Sequence, residues 1–181
     1  MKLLFAVDRR FAIGLQGDML FHIPDDLRRF RRLTSGNIVV MGRKTLESLP
    51  GGRPLPNRTN IVLTRNPDYV RDGLHVVHDI AQLDELLQAL TAAEKKAVFL
   101  IGGGDLVRQL IDRCDEASIT MLDRSCPNAD TYIPNLDEAP EWQLVSESEP
   151  FPFEDTTFTY REYRRRADTN ESSILCQGKD A

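Results

Sequence analysis

The feature that most constrains the fold is an apolar run that leads directly into three glycines and then into an amphipathic segment. Residues 97–101 form the run, Gly102, Gly103 and Gly104 follow, and apolar residues recur through residues 106–111 at helical spacing. A buried strand that turns at once into a helix is typical of a parallel sheet, in which a helix connects one strand to the next. The segment therefore predicts an α/β fold.

The rest of the chain repeats this alternation. We predict further strands at residues 3–7, 37–41, 60–63, 74–77 and 117–122, and helices that begin at Pro24, at Gly42 and after Asp79. Residues 142–146 and 156–163 alternate as the strands of a hairpin. The expected fold is a central mixed, mostly parallel twisted sheet with an antiparallel C-terminal edge hairpin, flanked by about four helices. Residues 1–165 are expected to form one domain, and the polar residues 166–181 a disordered tail.

Composition excludes several classes of function. The net charge of -5 and the pI of about 5.3 argue against a nucleic-acid partner. No apolar run approaches the ~20 residues that span a bilayer, and the apolar N-terminus is too short for a signal peptide. The three cysteines show no CxxC spacing, which favours free thiols over a disulfide or a zinc site. We therefore expect a cytoplasmic monomer without a metal ion.

Asp26 is the strongest candidate for chemistry. It lies beside Leu27 and four residues before Phe30, so it projects toward the apolar side of its predicted helix. Partial desolvation there raises the pKa of a carboxyl, which can then orient or help protonate a substrate. The alternative is an acid of the first helical turn that only complements the helix dipole, a role that suits Asp25 better.

Two sites near strand ends carry cations. Arg43 and Lys44 follow Gly42 at the start of a predicted helix, where they oppose the helix dipole at a cost of up to ~1 kcal/mol. A bound anion would offset that cost. Thr64 and Arg65 follow another strand and suit a phosphate monoester. The alternative is that these cations are solvated or paired with nearby acids.

The glycine run and a proline-rich segment are two further candidate sites. The glycines allow the backbone to approach a ligand closely, although they match neither the GxGxxG pattern nor the P-loop. Arg58 follows the stiff segment around Pro54 and Pro56 and is placed to bind a carboxylate through forked hydrogen bonds. The alternative is a rigid surface loop with solvated arginines.

In this order, the segments resemble dihydrofolate reductase over about residues 1–165. The matching residues are Ala6, Ile13, Gly14, Pro24, Asp26, Leu27, Phe30, Met41, Gly42, Arg43, Thr45, Glu47, Ser48, Arg53, Pro54, Leu55, Pro56, Arg58, residues 60–63 and 101–104, Thr120, Asp130, Thr131 and Pro134. The resemblance implies hydride transfer from NADPH to the pterin of dihydrofolate, giving tetrahydrofolate. It also implies binding of antifolate-type inhibitors.

The resemblance also implies roles for individual residues. Asp26 would bind the pterin and support protonation at N5 through water, with Thr120 in the same network, and Arg58 would bind the glutamate α-carboxylate. The other substrate contacts implied are Leu4, Ala6, Phe21, Leu27, Phe30, Leu49, Leu55 and Ile101. The cofactor contacts implied are Ala6, Ile13, Gly42, Arg43, Lys44, Thr45, Leu63, Thr64, Arg65, Ile101, Gly102, Gly103, Gly104, Asp105, Leu106 and Val107. A cis peptide at Gly102-Gly103 and a lid formed by residues 9–23 complete what the resemblance implies.

The chain departs from the family pattern at three places. Leu20-Phe21 stands where Pro-Trp is usual, and phenylalanine has no indole N–H to order an active-site water. Val107 replaces a common tyrosine, and Asp105 stands where some members carry a cation. Two other functions therefore stay open: a reductase of another pterin or of a riboflavin-pathway pyrimidine, and a nucleotide- or folate-binding module without catalysis.

Overall fold

Strands and helices alternate along most of the chain. The computed structural model describes residues 1–93 and 95–167. The strands are β1 Lys2–Val7, β2 Ala12–Leu15, β3 Asp18–Met19, β4 Ile38–Gly42, β5 Thr59–Leu63, β6 His75–Val77, β7 Val98–Gly102, β8 Glu116–Leu122, β9 Thr131–Tyr132, β10 Trp142–Glu147, β11 Phe151–Phe153 and β12 Thr156–Arg165. The helices are α1 Pro24–Thr34, α2 Arg43–Ser48, α3 Ile80–Ala93 and α4 Gly104–Leu110, and single 3₁₀ turns follow at Pro50–Gly52 and Ile111–Arg113.

The main sheet has the mixed architecture that the sequence predicts. Its strand order is β10-β12-β8-β1-β7-β4-β5-β6, and β11 pairs with β12 beside this path. The neighbours from β8 to β6 are parallel, whereas β12 is antiparallel to β8, β10 and β11. The antiparallel C-terminal edge is therefore confirmed, and the segment predicted as its turn contains the additional short strand β11.

The segment that the resemblance implies as a lid, residues 9–23, is not an irregular loop. Strands β2 and β3 form a hairpin within this segment, and β9 pairs with β2 to complete a small second sheet. The hairpin turns at Gln16 and Gly17, both with positive φ, and Leu15 pairs with Asp18. Two-residue turns with positive φ match the twist of hairpin strands, but Gln is an unusual residue there, so the turn is hard to recognise in the sequence.

The two faces of the main sheet bury two separate apolar clusters, because successive side chains of a strand point to opposite faces. On β1, Leu3, Phe5 and Val7 enter the main core, which α3 and α4 cover. Leu4 enters the second core on the opposite face. The second core comprises Leu4, Val39, Met41, Leu46, Val62 and Phe99, with Phe30, Leu33, Leu49, Leu55, Tyr69, Leu74 and Ile101 packed against it.

Several expectations concern what the fold lacks. Within residues 1–93 and 95–167, no helix is long and apolar enough to cross a membrane. The same residues contain no group of three or more His, Cys, Asp or Glu side chains suited to a metal ion, and Cys114 and Cys126 are free thiols. Apart from residues 166 and 167, the predicted tail lies outside the described residues.

Candidate active site

Three chain segments meet where parallel strands β4, β5 and β7 end. Gly42 pairs with Leu63, and Met41 pairs with Gly102, so the residues that follow these strands lie at one edge of the sheet. We call residues 42–45, 63–65 and 101–107 the glycine edge. Ligands of open α/β sheets bind at the carboxyl ends of the strands, because the following helices begin there and present free backbone N–H groups.

Two glycines of this edge, Gly102 and Gly104, fill positions where a side chain does not fit. A Cβ at Gly102 would lie 2.8 Å from Thr45 Oγ1, and Gly102 has a φ of 147°. A Cβ at Gly104 would lie 2.6 Å from the carbonyl oxygen of Tyr132. The peptide bond between Gly102 and Gly103 is cis, as the resemblance implies. The backbone itself therefore forms the surface between β7 and α4.

The cations of the glycine edge differ in their partners. Lys44 and Arg65 are exposed, and neither forms a hydrogen bond or an ion pair among the described residues. Arg43 lies 3.5 Å from Glu47, one helical turn away. Asp105 is paired with Arg108 at 2.5 Å and so is partly neutralised by its own helix. Lys44 and Arg65 are thus the cations most available to an external anion.

Asp26 lies in the first turn of α1, against strand β8. The hydroxyl of Thr120 donates a hydrogen bond to its carboxylate. Burial raises the pKa of Asp26, while the Thr120 hydrogen bond and the charge of Arg29 act in the opposite direction. The predicted desolvation is therefore confirmed. The neighbouring Asp25 is exposed and paired with Arg28 on the helix surface.

A partly buried ion network beside Asp26 was not predicted. Arg29 donates to Ser118 Oγ and to a carboxylate oxygen of Glu162, both at 2.6 Å. Ser118 donates to the same Glu162 oxygen at 2.6 Å, and Lys2 Nζ donates to the other at 2.8 Å. We call Lys2, Arg29, Ser118 and Glu162 the ion network. One signal for it was available in the sequence, since Arg29 follows Asp26 by three residues and so shares its helix face.

The apolar residues predicted to contact the substrate divide into groups. Leu4, Phe30, Leu49, Leu55 and Ile101 come together in the second core. Ala6 lies opposite Thr120 in the β1–β8 register. Leu27 belongs to neither core and is 44% exposed, so its contact with a substrate stays a prediction.

The remaining predicted residues lie in other surroundings. Phe21 packs in a third cluster with Ile23, Leu122 and Phe158. Leu106 and Val107 are buried in the main core, and Ile13 packs against it. The side chains of Leu106 and Val107 therefore face away from the open side of the glycine edge, where only their backbone is available to a ligand.

Arg58 is fixed by the end of α1 and by its own loop. Its Nε donates to Thr34 Oγ1 at 3.0 Å and its Nη1 donates to the Pro56 carbonyl at 2.7 Å. Burial, with a smaller contribution from Arg31, lowers the pKa of Arg58. Asn60 holds the loop by bonding both the N–H and the carbonyl of Leu55, at 3.0 and 2.9 Å. The guanidinium is thereby oriented before any ligand binds.

Comparisons with known proteins agree on one family. The family model for dihydrofolate reductase matches residues 1–165. The dihydrofolate reductase of Bacillus subtilis is 37% identical over 157 residues, covering 87% of this chain and 88% of that protein. The enzyme of Staphylococcus aureus is 34% identical over 149 residues, covering 82% and 86%. The solved structure of Enterococcus faecalis dihydrofolate reductase, complexed with NADP(H) and RAB-propyl, aligns with a TM-score of 0.76 at 34% identity and covers 92% of this chain and 96% of that one. The chain therefore belongs to the dihydrofolate reductase family.

Proposed function

We propose that this protein reduces 7,8-dihydrofolate to 5,6,7,8-tetrahydrofolate with NADPH, and that Asp26 orients the pterin and supports protonation at N5. The observation that carries the proposal is the pairing of Asp26 with Thr120 in a partly desolvated site. Family membership over residues 1–165 supports the overall reaction. The site around Asp26 and Thr120 is also the proposed binding site for antifolate-type inhibitors.

The glycine edge fits a dinucleotide with phosphate groups. Gly102 and Gly104 let the backbone pack directly against Thr45 and the Tyr132 carbonyl, and Lys44 and Arg65 have no competing partner among the described residues. Thr45, Thr64 and the N–H groups at the start of α2 are further donors for phosphate oxygens. When bound there, NADPH supplies the hydride. The related enzyme of Enterococcus faecalis is complexed with NADP(H), which supports this assignment.

Asp26 contributes by orientation and by control of a proton. Its carboxylate would accept hydrogen bonds from the amino group and a ring nitrogen of the pterin, while Thr120 fixes the carboxylate from the other side. Because burial raises the pKa of Asp26, a larger fraction of the carboxyl holds a proton near neutrality than in water. That proton would reach N5 through water. Phe21 lacks an N–H for that water, so Asp26 and Thr120 would have to orient it.

The second core and Arg58 suit the remainder of the substrate. Phe30, Leu49 and Leu55 lie together and would pack on the aminobenzoyl group. Arg58, held by Thr34 and Pro56, would bind the glutamate α-carboxylate through a forked pair of hydrogen bonds. A reductase that acts on a substrate without the glutamyl group would have no need of this arginine. We further propose that the β2–β3 segment closes over the nicotinamide.

The test is an absorbance assay of NADPH oxidation with dihydrofolate, using the wild type, Asp26→Asn and the matched control Asp25→Asn. Asp26→Asn is expected to lower the hydride-transfer rate near neutral pH by about 10²- to 10⁴-fold while substrate still binds. Asp25→Asn should stay close to the wild type, because Asp25 is exposed. Near-wild-type turnover by Asp26→Asn would contradict the proposed role of Asp26. If the wild type oxidised no NADPH at any pH, a binding module without catalysis would be favoured. Equal efficiency with a pterin that lacks the glutamyl tail would favour another substrate.

A further inference from the structure

We propose that Arg29 is a positioning residue of this enzyme. Its guanidinium is held by Ser118, Glu162 and Tyr160, and its charge sets the pH at which the Asp26 carboxyl loses its proton. The inference rests on the proposed role of Asp26 and extends it to the ion network. Arg29 does not need to touch the substrate for this role, because its charge acts through Asp26.

Arg29 is held on three sides. Its side chain is only 12% exposed, and Ser118 and Glu162 accept its hydrogen bonds at 2.6 Å. The centre of the guanidinium lies 4.4 Å from the centroid of the Tyr160 ring, a favourable cation–π distance. A planar guanidinium held on its edge and on its face has little freedom to turn. The charge beside Asp26 is therefore set in place by the fold.

The register of the sheet brings the acid and the ion network together. On β8, Ser118 and Thr120 point to the same face, since they are two residues apart. On β12, Glu162 lies opposite Ser118 and Tyr160 opposite Thr120. Asp26 and Arg29 lie three residues apart on α1, which is about one helical turn. This spacing matches that of Thr120 and Ser118, which lie two residues apart along β8. Each residue of the α1 pair thus meets its own partner on β8.

The ion network leaves the Arg29 guanidinium incompletely paired. Lys2 is shared between Glu162 and Glu116, which lie 2.8 and 3.5 Å from its Nζ. Among the described residues, Arg29 Nη1 is buried and has no hydrogen-bond partner, so Glu162 does not satisfy the whole guanidinium. The charge of this incompletely paired guanidinium favours the carboxylate form of Asp26, in agreement with the direction in which Arg29 shifts its pKa.

Every charged or titratable neighbour enters the balance around Asp26. The groups that face this region are Asp25, Arg29 and Arg32 on α1, Lys2 on β1, Glu116, Ser118 and Thr120 on β8, and Tyr160 and Glu162 on β12. Burial and the charge of Asp26 raise the pKa of Tyr160, so its hydroxyl stays neutral over the pH range of interest. Replacing Arg29 and replacing Glu162 should therefore shift the titration midpoint of Asp26 in opposite directions.

The test is a charge cycle on Arg29 and Glu162, with two readouts for each variant. One is the ¹³C chemical shift of the Asp26 carboxyl against pH in the full chain, assigned by its loss in Asp26→Asn. The other is the hydride-transfer rate with dihydrofolate against pH. Arg29→Gln should move both midpoints up by about 0.5 to 1 pH unit, and Glu162→Gln should move them down by less. The double variant should lie between them.

Arg29→Lys separates charge from folding, because it keeps the positive charge and should keep the midpoints near those of the wild type. Arg28→Gln is the matched control, since Arg28 is an exposed arginine of the same helix. If Arg29→Gln fails to fold, the opposite shift in Glu162→Gln and the rescue by Arg29→Lys carry the test. A carbon midpoint that moves by less than about 0.2 pH unit in both single variants would overturn the inference. A shifted carbon midpoint with an unchanged rate profile would support the coupling and reject the catalytic role of Asp26.

Discussion

Beneath α1 the protein pairs its partly buried charges with one another, whereas at the glycine edge it leaves cations exposed to solvent. Arg29 and Glu162 are joined at 2.6 Å, and Thr120 binds Asp26. Lys44 and Arg65 have no such partners among the described residues. Removing a charge from water is unfavourable in free energy unless the charge is paired. An exposed cation needs no such partner, because water solvates it until an anion binds. This difference supports the proposals that the first region controls a proton and that the second binds an anion.

The largest effect expected concerns the glycine edge. Replacing both Lys44 and Arg65 by Gln should lower kcat/KM for NADPH by about 100-fold, because each cation would lose a charge-assisted hydrogen bond to phosphate. The same variant should lose far less with NADH, which has no 2′-phosphate. Steady-state kinetics with both cofactors measures the difference.

Lys95→Gln is the control for that experiment. Lys95 is also an exposed lysine, but it precedes β7 and so lies at the opposite end of this parallel strand. Its replacement should leave both cofactors unaffected. An equal fall in kcat/KM for NADPH and NADH in the double variant would show that the two cations do not distinguish the cofactors. The proposed role of the glycine edge in binding the 2′-phosphate would then be wrong.

A smaller effect is expected in stability. Gly104→Ala would place a Cβ 2.6 Å from the Tyr132 carbonyl, which is backbone and cannot move aside without shifting β9. Overpacking of this kind should lower the free energy of unfolding by about 2 kcal/mol. Gly42→Ala is the matched control, since its Cβ would meet only Gly103 N at 3.9 Å. Denaturant titration of both variants checks the prediction, and equal stability would mean that the edge adapts to side chains.

The smallest effect concerns Asp26 and has the opposite sign. Because burial raises the pKa of Asp26, the folded protein holds this proton more readily than the unfolded chain. The free energy of unfolding therefore falls as pH rises through the folded pKa, and the ionised carboxyl costs stability at neutral pH. Asp26→Asn should be about 1 kcal/mol more stable than the wild type at pH 7.

That gain should disappear as the pH falls below the ordinary carboxyl pKa of 3.8, where both states are protonated. Asp25→Asn, at the neighbouring exposed acid, should show no such gain. Thermal unfolding at several pH values provides the measurement. A loss of stability in Asp26→Asn at neutral pH would place Asp26 among the groups that hold the fold together.

The sequence predicted what depends on local pattern, and it failed where partners come from distant strands. The alternation of apolar runs located β1, β4, β5, β7 and β8, and the position of Asp26 on its helix indicated desolvation. Nothing local indicates that β12 lies beside β8, and without that order Glu162 cannot be assigned to Arg29. The β2–β3 hairpin was missed because its turn uses Gln16. Periodicity alone also does not show whether an exposed apolar residue such as Leu27 faces a ligand.

Strand β5 joins two elements that we propose bind different ligands. Arg58 immediately precedes it, fixed through Asn60 and Thr34, and Thr64 and Arg65 immediately follow it. The two arginines lie seven positions apart, which is about 23 Å along an extended chain. With the ligands proposed above, this strand would set the distance between the substrate's carboxylate and the cofactor's phosphate. A one-residue insertion or deletion within β5 would change the distance between the carboxylate and the phosphate that the enzyme could bind at once, even if the contacts to each anion were unchanged.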